Sequence, residues 1–262
     1  MKRIMVIAGT RDSRDIIDKL LKIQAVVVAT VTTSFGRELL ETYSGIILHE
    51  GKLDSAGITA LVQQNNVTCI VDASHPFAKA VSVNAMRSCR ETGAVYLRFE
   101  RENTVIVGNG AAEDGRMVIR VRSFAEAAEV AGKITGNILL TIGSKHINVF
   151  TKSIPDYKMR LFARILPDSR MVAKCEEAGL SVGHIIALQG PFSEEFNIEM
   201  LKYCHAEVLV TKESGEAGGT DRKLNAAAKL GIPVVLVERP EVAYTRKVST
   251  VDEVLEFVKQ YI

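Results

Sequence analysis

The chain is predicted to be an α/β protein built as two doubly wound parallel-sheet lobes with a cleft between them. Three observations carry that reading. Short continuous apolar runs recur, as strands buried on both faces require. Helix-length amphipathic stretches separate them, which implies right-handed crossovers. The composition, 47% hydrophobic and 6% aromatic with no tryptophan in 262 residues, is that of an ordinary globular chain.

In order along the chain, strands are expected at 3–8, 25–31, 46–49, 67–72 and 95–98. Helices at 11–23, 54–65 and 76–93 lie between them. The rhythm weakens over 99–116, where Asn103, Gly108, Asn109, Gly110, Asp114 and Gly115 cluster, and this stretch reads as a hinge. Strands resume at 117–122, 138–142, 159–165, 184–188, 207–211 and 233–237. The matching helices are 123–132, 169–178, 194–203, 220–230 and 250–261, and Gly143, Gly179 and Gly231 fall where elements end. The expected division is residues 1–100 and residues 101–262.

Lysine and arginine number 33 against 31 aspartate and glutamate, a net charge of +2, which argues against a dedicated nucleic-acid binder. Cys69, Cys89, Cys175 and Cys204 lie far apart, so free thiols are expected, with no disulfide framework and no metal site. The N-terminus opens directly into the strand-like run Arg3 to Ala8, and no run approaches the ~18 apolar residues of a membrane span. A soluble cytoplasmic protein with no membrane partner is expected.

Ligands of open parallel sheets bind beyond the carboxyl ends of strands, where helix N-termini offer free N–H groups. The first such loop, Ala8-Gly9-Thr10-Arg11-Asp12-Ser13, has one glycine leading into a helix. Thr10 and Ser13 could bond a phosphate there, or simply cap the turn. The second, Thr32-Thr33-Ser34-Phe35-Gly36-Arg37, lacks the acidic residue that an NAD site places on the ribose hydroxyl. Its hydroxyls and Arg37 suit a 2′-phosphate, hence NADPH, with NADH the alternative; Thr33 or Ser34 could also N-cap the next helix. The third loop, Asp72-Ala73-Ser74-His75-Pro76-Phe77, reads either as a ligand contact or as a local hydrogen-bond network. Asn84, beside the apolar stripe of the following helix, needs a polar partner: the His75 loop or the cofactor.

These loops occur in order with Ser82-Val83-Asn84-Ala85, Tyr96-Leu97-Arg98-Phe99-Glu100-Arg101, Leu140-Thr141-Ile142-Gly143-Ser144-Lys145 and Gln189-Gly190-Pro191-Phe192-Ser193. Val210-Thr211-Lys212-Glu213-Ser214-Gly215, Gly218-Gly219, Lys223-Leu224 and Glu238-Arg239-Pro240 complete the series. Together they resemble the precorrin-6A reductase family of cobalamin (vitamin B12) biosynthesis, in its cobalt-free and cobalt-containing branches, over nearly the whole chain. Two positions depart: Asp12-Ser13 stands where the family commonly has Glu and a small residue, and Glu213 where Asp is common.

The resemblance implies two Rossmann-like lobes and an NAD(P)H-dependent oxidoreductase that reduces one double bond of a corrin-type tetrapyrrole. The anionic corrinoid is the expected small-molecule partner, with neighbouring pathway enzymes beside it. The cofactor is expected against Gly9, Thr10, Arg11, Thr33, Ser34, Arg37 and Ser74, with Lys212, Ser214, Gly218 and Gly219 closing from the other lobe. Macrocycle carboxylates are expected at Arg98, Arg101 and Lys145, near Ser144, Gly190, Pro191 and Phe192. His75 and Asp72 are the candidate proton donors, and no metal is expected. Residues 143–174 carry seven basic and two acidic residues, whereas residues 175–262 carry nine and fourteen, so a local cationic wall fits inside a balanced total. Two other functions fit a two-lobed α/β chain: a solute-binding module and a nucleotide-sugar transferase.

Overall fold

The computed structural model describes residues 3–101, 110–111, 117–215 and 218–262. The chain opens with β1 (Arg3–Ile7), α1 (Arg11–Lys22), β2 (Val26–Val31), α2 (Ser34–Glu41), β3 (Ile46–Glu50) and α3 (Ser55–Gln64). Then come β4 (Val67–Asp72), α4 (Lys79–Thr92), β5 (Val95–Phe99), β6 (Gly110–Ala111), β7 (Met117–Val121), α5 (Phe124–Gly132) and β8 (Asn137–Thr141). They are followed by α6 (Ile147–Ser153), α7 (Tyr157–Arg160), β9 (Leu161–Ile165), α8 (Ser169–Glu177), β10 (Ile185–Ala187) and α9 (Glu194–Tyr203). The last elements are β11 (Ala206–Lys212), α10 (Thr220–Lys229), β12 (Val234–Val237), β13 (Lys247–Val248) and α11 (Val251–Val258).

Two compact units result: Met1–Glu102 with Pro240–Ile262, and Asn103–Arg239. The first holds a six-stranded sheet in the order β13-β5-β4-β1-β2-β3, parallel throughout. Its strands are apolar on both faces because helices cover both. On one face Ile16, Ile17 and Leu20 of α1 and Val254, Phe257 and Val258 of α11 pack with Ile4, Val27 and Val71. On the other, Ile58 and Val62 of α3 and Ala85 and Met86 of α4 meet Met5, Val28 and Ile70. The second unit holds the order β10-β9-β8-β11-β12-β7-β6, parallel except for β6. Leu201, Leu224 and Ala227 close part of its core over Leu139, Leu209 and Leu236.

The division differs from the expected boundary in one respect. Residues 240–262, placed by order in the second lobe, return to the first: Lys247 and Val248 pair with Arg98 and Phe99, and α11 joins the α1 cluster. The sixth place in the first sheet is thus taken by a strand from the end of the chain, and the place beside β12 in the second by β7. A two-residue strand has too short a period to announce its partner in sequence. Most of the expected hinge over 99–116 lies outside the described residues. The helix expected at 76–93 begins at Lys79, and residues 144–153 form a short 3-10 turn and α6 where no helix was expected. Among the described residues, no helix is long and apolar enough to cross a membrane.

Candidate active site

In doubly wound sheets the crevice opens where strand order reverses. In the first unit that point lies between β1 and β4, and the loops beyond them are tied together: the Thr10 hydroxyl donates to the Ala73 carbonyl at 3.0 Å. Gly9 has φ +122°, a conformation suited to glycine, and a Cβ built there would meet nothing within 4 Å. Backbone geometry, not crowding, keeps a side chain out, so a ligand can approach the turn closely. Thr10 and Ser13 form a capping box at the start of α1, with the Ser13 hydroxyl also accepting from the Gly9 and Thr10 amides at 3.2 Å. Their side chains are used in the cap. What remains for an anion is the N-terminus of α1, with the exposed Arg11 as its first residue.

Beyond β2, Thr33 caps α2 by accepting from the Gly36 amide at 3.1 Å. Ser34 and Arg37 stand exposed on the first turn; Arg37 pairs with Glu41 at 2.5 Å and lies 4.0 Å from Glu50. No acidic residue stands in this first turn.

The Asp72 loop is built on a buried polar network. Asp72 is fully buried, and both carboxylate oxygens are engaged. Oδ1 accepts from the Ser74 amide at 3.1 Å and Arg98 Nη1 at 3.0 Å; Oδ2 accepts from the hydroxyls of Ser82 at 2.5 Å and Tyr96 at 2.6 Å. Burial, then the Asp72 charge, pushes the Tyr96 hydroxyl pKa far above its ordinary value. Arg98, 1% exposed, also donates to the Ser74 carbonyl and hydroxyl at 3.0 and 3.2 Å and to Glu100 at 3.0 Å, and it lies 5.3 Å from the Tyr244 ring. Burial opposes the Arg98 charge, but Asp72, Tyr244 and Glu100 outweigh it and hold its pKa above the ordinary value.

This geometry corrects two expectations. Asp72 has no free oxygen and no exposure with which to exchange a proton, and Arg98 is committed inside the network and cannot reach a substrate carboxylate. Both hold Ser74, which precedes His75 in the same turn. His75 is half-buried and its Nδ1 accepts from the Phe77 amide at 3.2 Å, so the proton of the neutral ring sits on Nε2. Asn84 bonds neither expected partner; it donates to the Leu53 carbonyl at 3.4 Å, and Ser82 makes the tie to the loop. Arg101 pairs with Asp12, in the first turn of α1, at 2.6 Å.

In the second unit strand order reverses between β8 and β11. Lys145 follows β8 and Lys212 ends β11; burial, then the charge of Lys145, holds Lys212 down to about 8. Gly219 has φ +66°, and a Cβ there would stand 3.7 Å from that of Pro191. The Gly190-Pro191-Phe192 loop and the Gly218-Gly219 turn are therefore neighbours. A side chain on Gly218 would overlap Ser214, whose hydroxyl lies 3.1 Å from that of Thr220. Ser214 thus serves the turn. Ser144 is buried with its hydroxyl directed to the Met171 sulfur at 2.8 Å, which removes it from the expected substrate contacts. Glu213 is buried 3.9 Å from Arg120, anchoring the strand end.

Three further groups here are not among the expected site residues. His146 stacks on Phe124 with centroids 3.8 Å apart, its pKa lowered by burial, Lys212 and Lys145. Arg164 projects from β9 with its guanidinium 4.9 Å from the Phe192 ring. Lys223 is buried in the first turn of α10. The available signals were an arginine inside the apolar run Leu161–Ile165 and a lysine at a helix start, where the dipole disfavours it.

A pair of doubly wound parallel sheets, each with loops converging where strand order reverses, defines the class of Rossmann-like α/β proteins. The family described as "Precorrin-6x reductase CbiJ/CobK" matches residues 3–259, and the chain belongs to that family. The cobalt-precorrin-6A reductase of Methanothermobacter thermautotrophicus is 42% identical over 91% of this chain and 77% of its own length. That of Priestia megaterium is 38% identical over 96% of each. The solved CobK precorrin-6A reductase aligns over 100% of this chain and 97% of its own with a TM-score of 0.79 at 24% identity, a likeness of fold. The chain is accordingly an oxidoreductase of the cobalamin pathway that requires a nicotinamide cofactor.

Proposed function

We propose that the chain reduces cobalt-precorrin-6A, with NADPH as hydride source, in the cytoplasm. The crevice of the first unit would hold the nucleotide and that of the second unit the macrocycle. The carrying observation is the first turn of α2, where Thr33 and Ser34 follow β2 with Arg37 one turn on and no acidic residue to favour a free ribose hydroxyl. The open Gly9 turn and the N-terminus of α1 suit the pyrophosphate. Support for the cobalt-containing substrate comes from relatives: those at 28–42% identity include six named cobalt-precorrin-6A reductase, while the two named precorrin-6A reductase stand at 27–28%.

When bound, the nicotinamide supplies the hydride; the protein supplies position and charge. Arg98 and Asp72 fix the Ser74-His75 turn, so His75 Nε2–H is held on a rigid support as a proton donor at the nucleotide crevice of the first unit. In the second unit Lys145 and Lys212 face the anionic macrocycle, with Phe192 offering an apolar surface. Neither a solute-binding module nor a nucleotide-sugar transferase is retained.

Anaerobic incubation of the protein with cobalt-precorrin-6A or precorrin-6A, each with NADPH or NADH, tests the reading spectroscopically. Oxidation should be fastest with the cobalt substrate and NADPH; no oxidation in any mixture would defeat it. Ser34→Ala should raise KM for NADPH about tenfold, the loss of one hydrogen bond to a charged group, and leave KM for NADH nearly unchanged. Equal losses would remove the 2′-phosphate assignment.

A further inference from the structure

Buried ammonium groups are almost always paired. Lys223 is 4% exposed, yet it makes no ion pair or hydrogen bond with any described residue. The charges acting on it are those of two other cations, Arg164 on β9 and Lys212 on β11. It stands in the first turn of α10, where the helix dipole opposes a positive charge, and the N-cap, Gly219, contributes no side-chain bond. None of the described carboxylates on the neighbouring elements pairs with it. On α9, Glu194 pairs with Lys229 at 2.6 Å, Glu199 pairs with Lys202 at 2.8 Å, and Glu195 is held by its own backbone and Ser193. Glu213, just past β11, faces Arg120, and Asp221 in the same helix turn forms no ion pair with Lys223. Among the described residues Arg164 likewise has only neutral partners: Asn197 Oδ1 at 3.1 Å, the Met200 sulfur at 3.8 Å and the Phe192 ring.

A buried lysine with no partner among the described residues, within electrostatic reach of an arginine stacked on an aromatic ring, is a site shaped for an anion. We propose that Lys223 and Arg164 form a recessed receptor for one carboxylate arm of the macrocycle. This rests on the assignment of the second crevice to the substrate. The stacked guanidinium presents a planar edge that matches a carboxylate, and the ammonium supplies the second charge. Burial, with Arg164 and Lys212, holds Lys223 down to about 7, and burial lowers Arg164 to about 10. Docking of the anion therefore draws a proton onto Lys223 near neutral pH.

The test uses Lys223→Met and Lys223→Arg in the full chain. Methionine removes an uncompensated charge from the interior, so the ligand-free variant should melt higher than wild type. The sign with pH follows from linkage: between about 7 and the ordinary 10.5 the unfolded chain holds the proton that the folded chain lacks, so wild-type stability rises with pH across that window. The advantage of Lys223→Met should be largest at and below pH 7 and fade towards pH 10. At the same time, Kd for cobalt-precorrin-6A, measured calorimetrically, should rise about 10- to 100-fold, the loss of a charged hydrogen bond. KM for NADPH should stay within about twofold of wild type, and Lys223→Arg should recover much of the affinity. A lower Tm for Lys223→Met, an unchanged corrinoid Kd, or a loss confined to the nucleotide would each overturn the receptor. Failure of wild type to oxidise either nucleotide counts against the reductase assignment alone, because Kd and Tm are read without turnover.

Discussion

Arg98→Ala is expected to destabilise the first unit by about 3–5 kcal/mol, read as a fall in its urea midpoint. Removing the guanidinium leaves Asp72 fully buried with only neutral donors around it, and an uncompensated buried charge costs about that much. The effect has a functional arm. Arg98 Nη1 holds both the carbonyl and the hydroxyl of Ser74, so the turn carrying His75 loses its anchor. KM for NADPH should rise together with the loss of stability. Arg98→Lys keeps the charge but not the fork that spans Asp72, Ser74 and Glu100, and should fall between wild type and alanine. A loss under about 1 kcal/mol for the alanine variant would show that the network is solvated, and the assignment of Asp72 as a positioning residue would fall with it.

Ending the chain after Arg239 is expected to prevent the first unit from folding while the second retains its structure. The lost segment supplies the strand beside β5, the Tyr244 ring over Arg98, and Val254, Phe257 and Val258, which are 0%, 7% and 0% exposed. Each buried side chain of that kind contributes about 1.5–3 kcal/mol, so the three together rival the whole stability of a domain. Hydrogen exchange is the measurement. Protection should vanish from β1, α1 and β5 and persist in β8, β11 and β12. Phe257→Ala, at about 3–5 kcal/mol, is the milder form of the same experiment. Persistent protection in β1 after truncation would refute the two-unit division.

Much of the architecture could be read directly from the chain. Runs such as Val26–Val31 and Val67–Asp72 are apolar without alternation, because parallel strands between two helical layers have no wet face, and the runs locate the strands within a residue or two. Strand ends then point to Gly9, Ser34, Ser74, Lys145 and Lys212 as crevice positions. Charged residues within strands are less legible. Tyr96-Leu97-Arg98-Phe99 does not reveal whether Arg98 faces a ligand or an internal carboxylate; that depends on Asp72, 26 residues earlier on the adjacent strand. The same holds for Arg164 and Lys223, which lie 59 positions apart in sequence and whose charges act on each other only because β9 and α10 belong to one unit.

The sequence by itself determined the α/β class, the order of nearly all elements and the family, because periodicity, caps and turn residues are local signals along the chain. Only the tertiary structure decided that residues 240–262 complete the first sheet, that Asp72 and Arg98 pair with each other, and that Lys223 is buried among cations. Each of these is a pairing between distant residues, and its energy depends on burial and on the partner across the space, which local patterning does not specify.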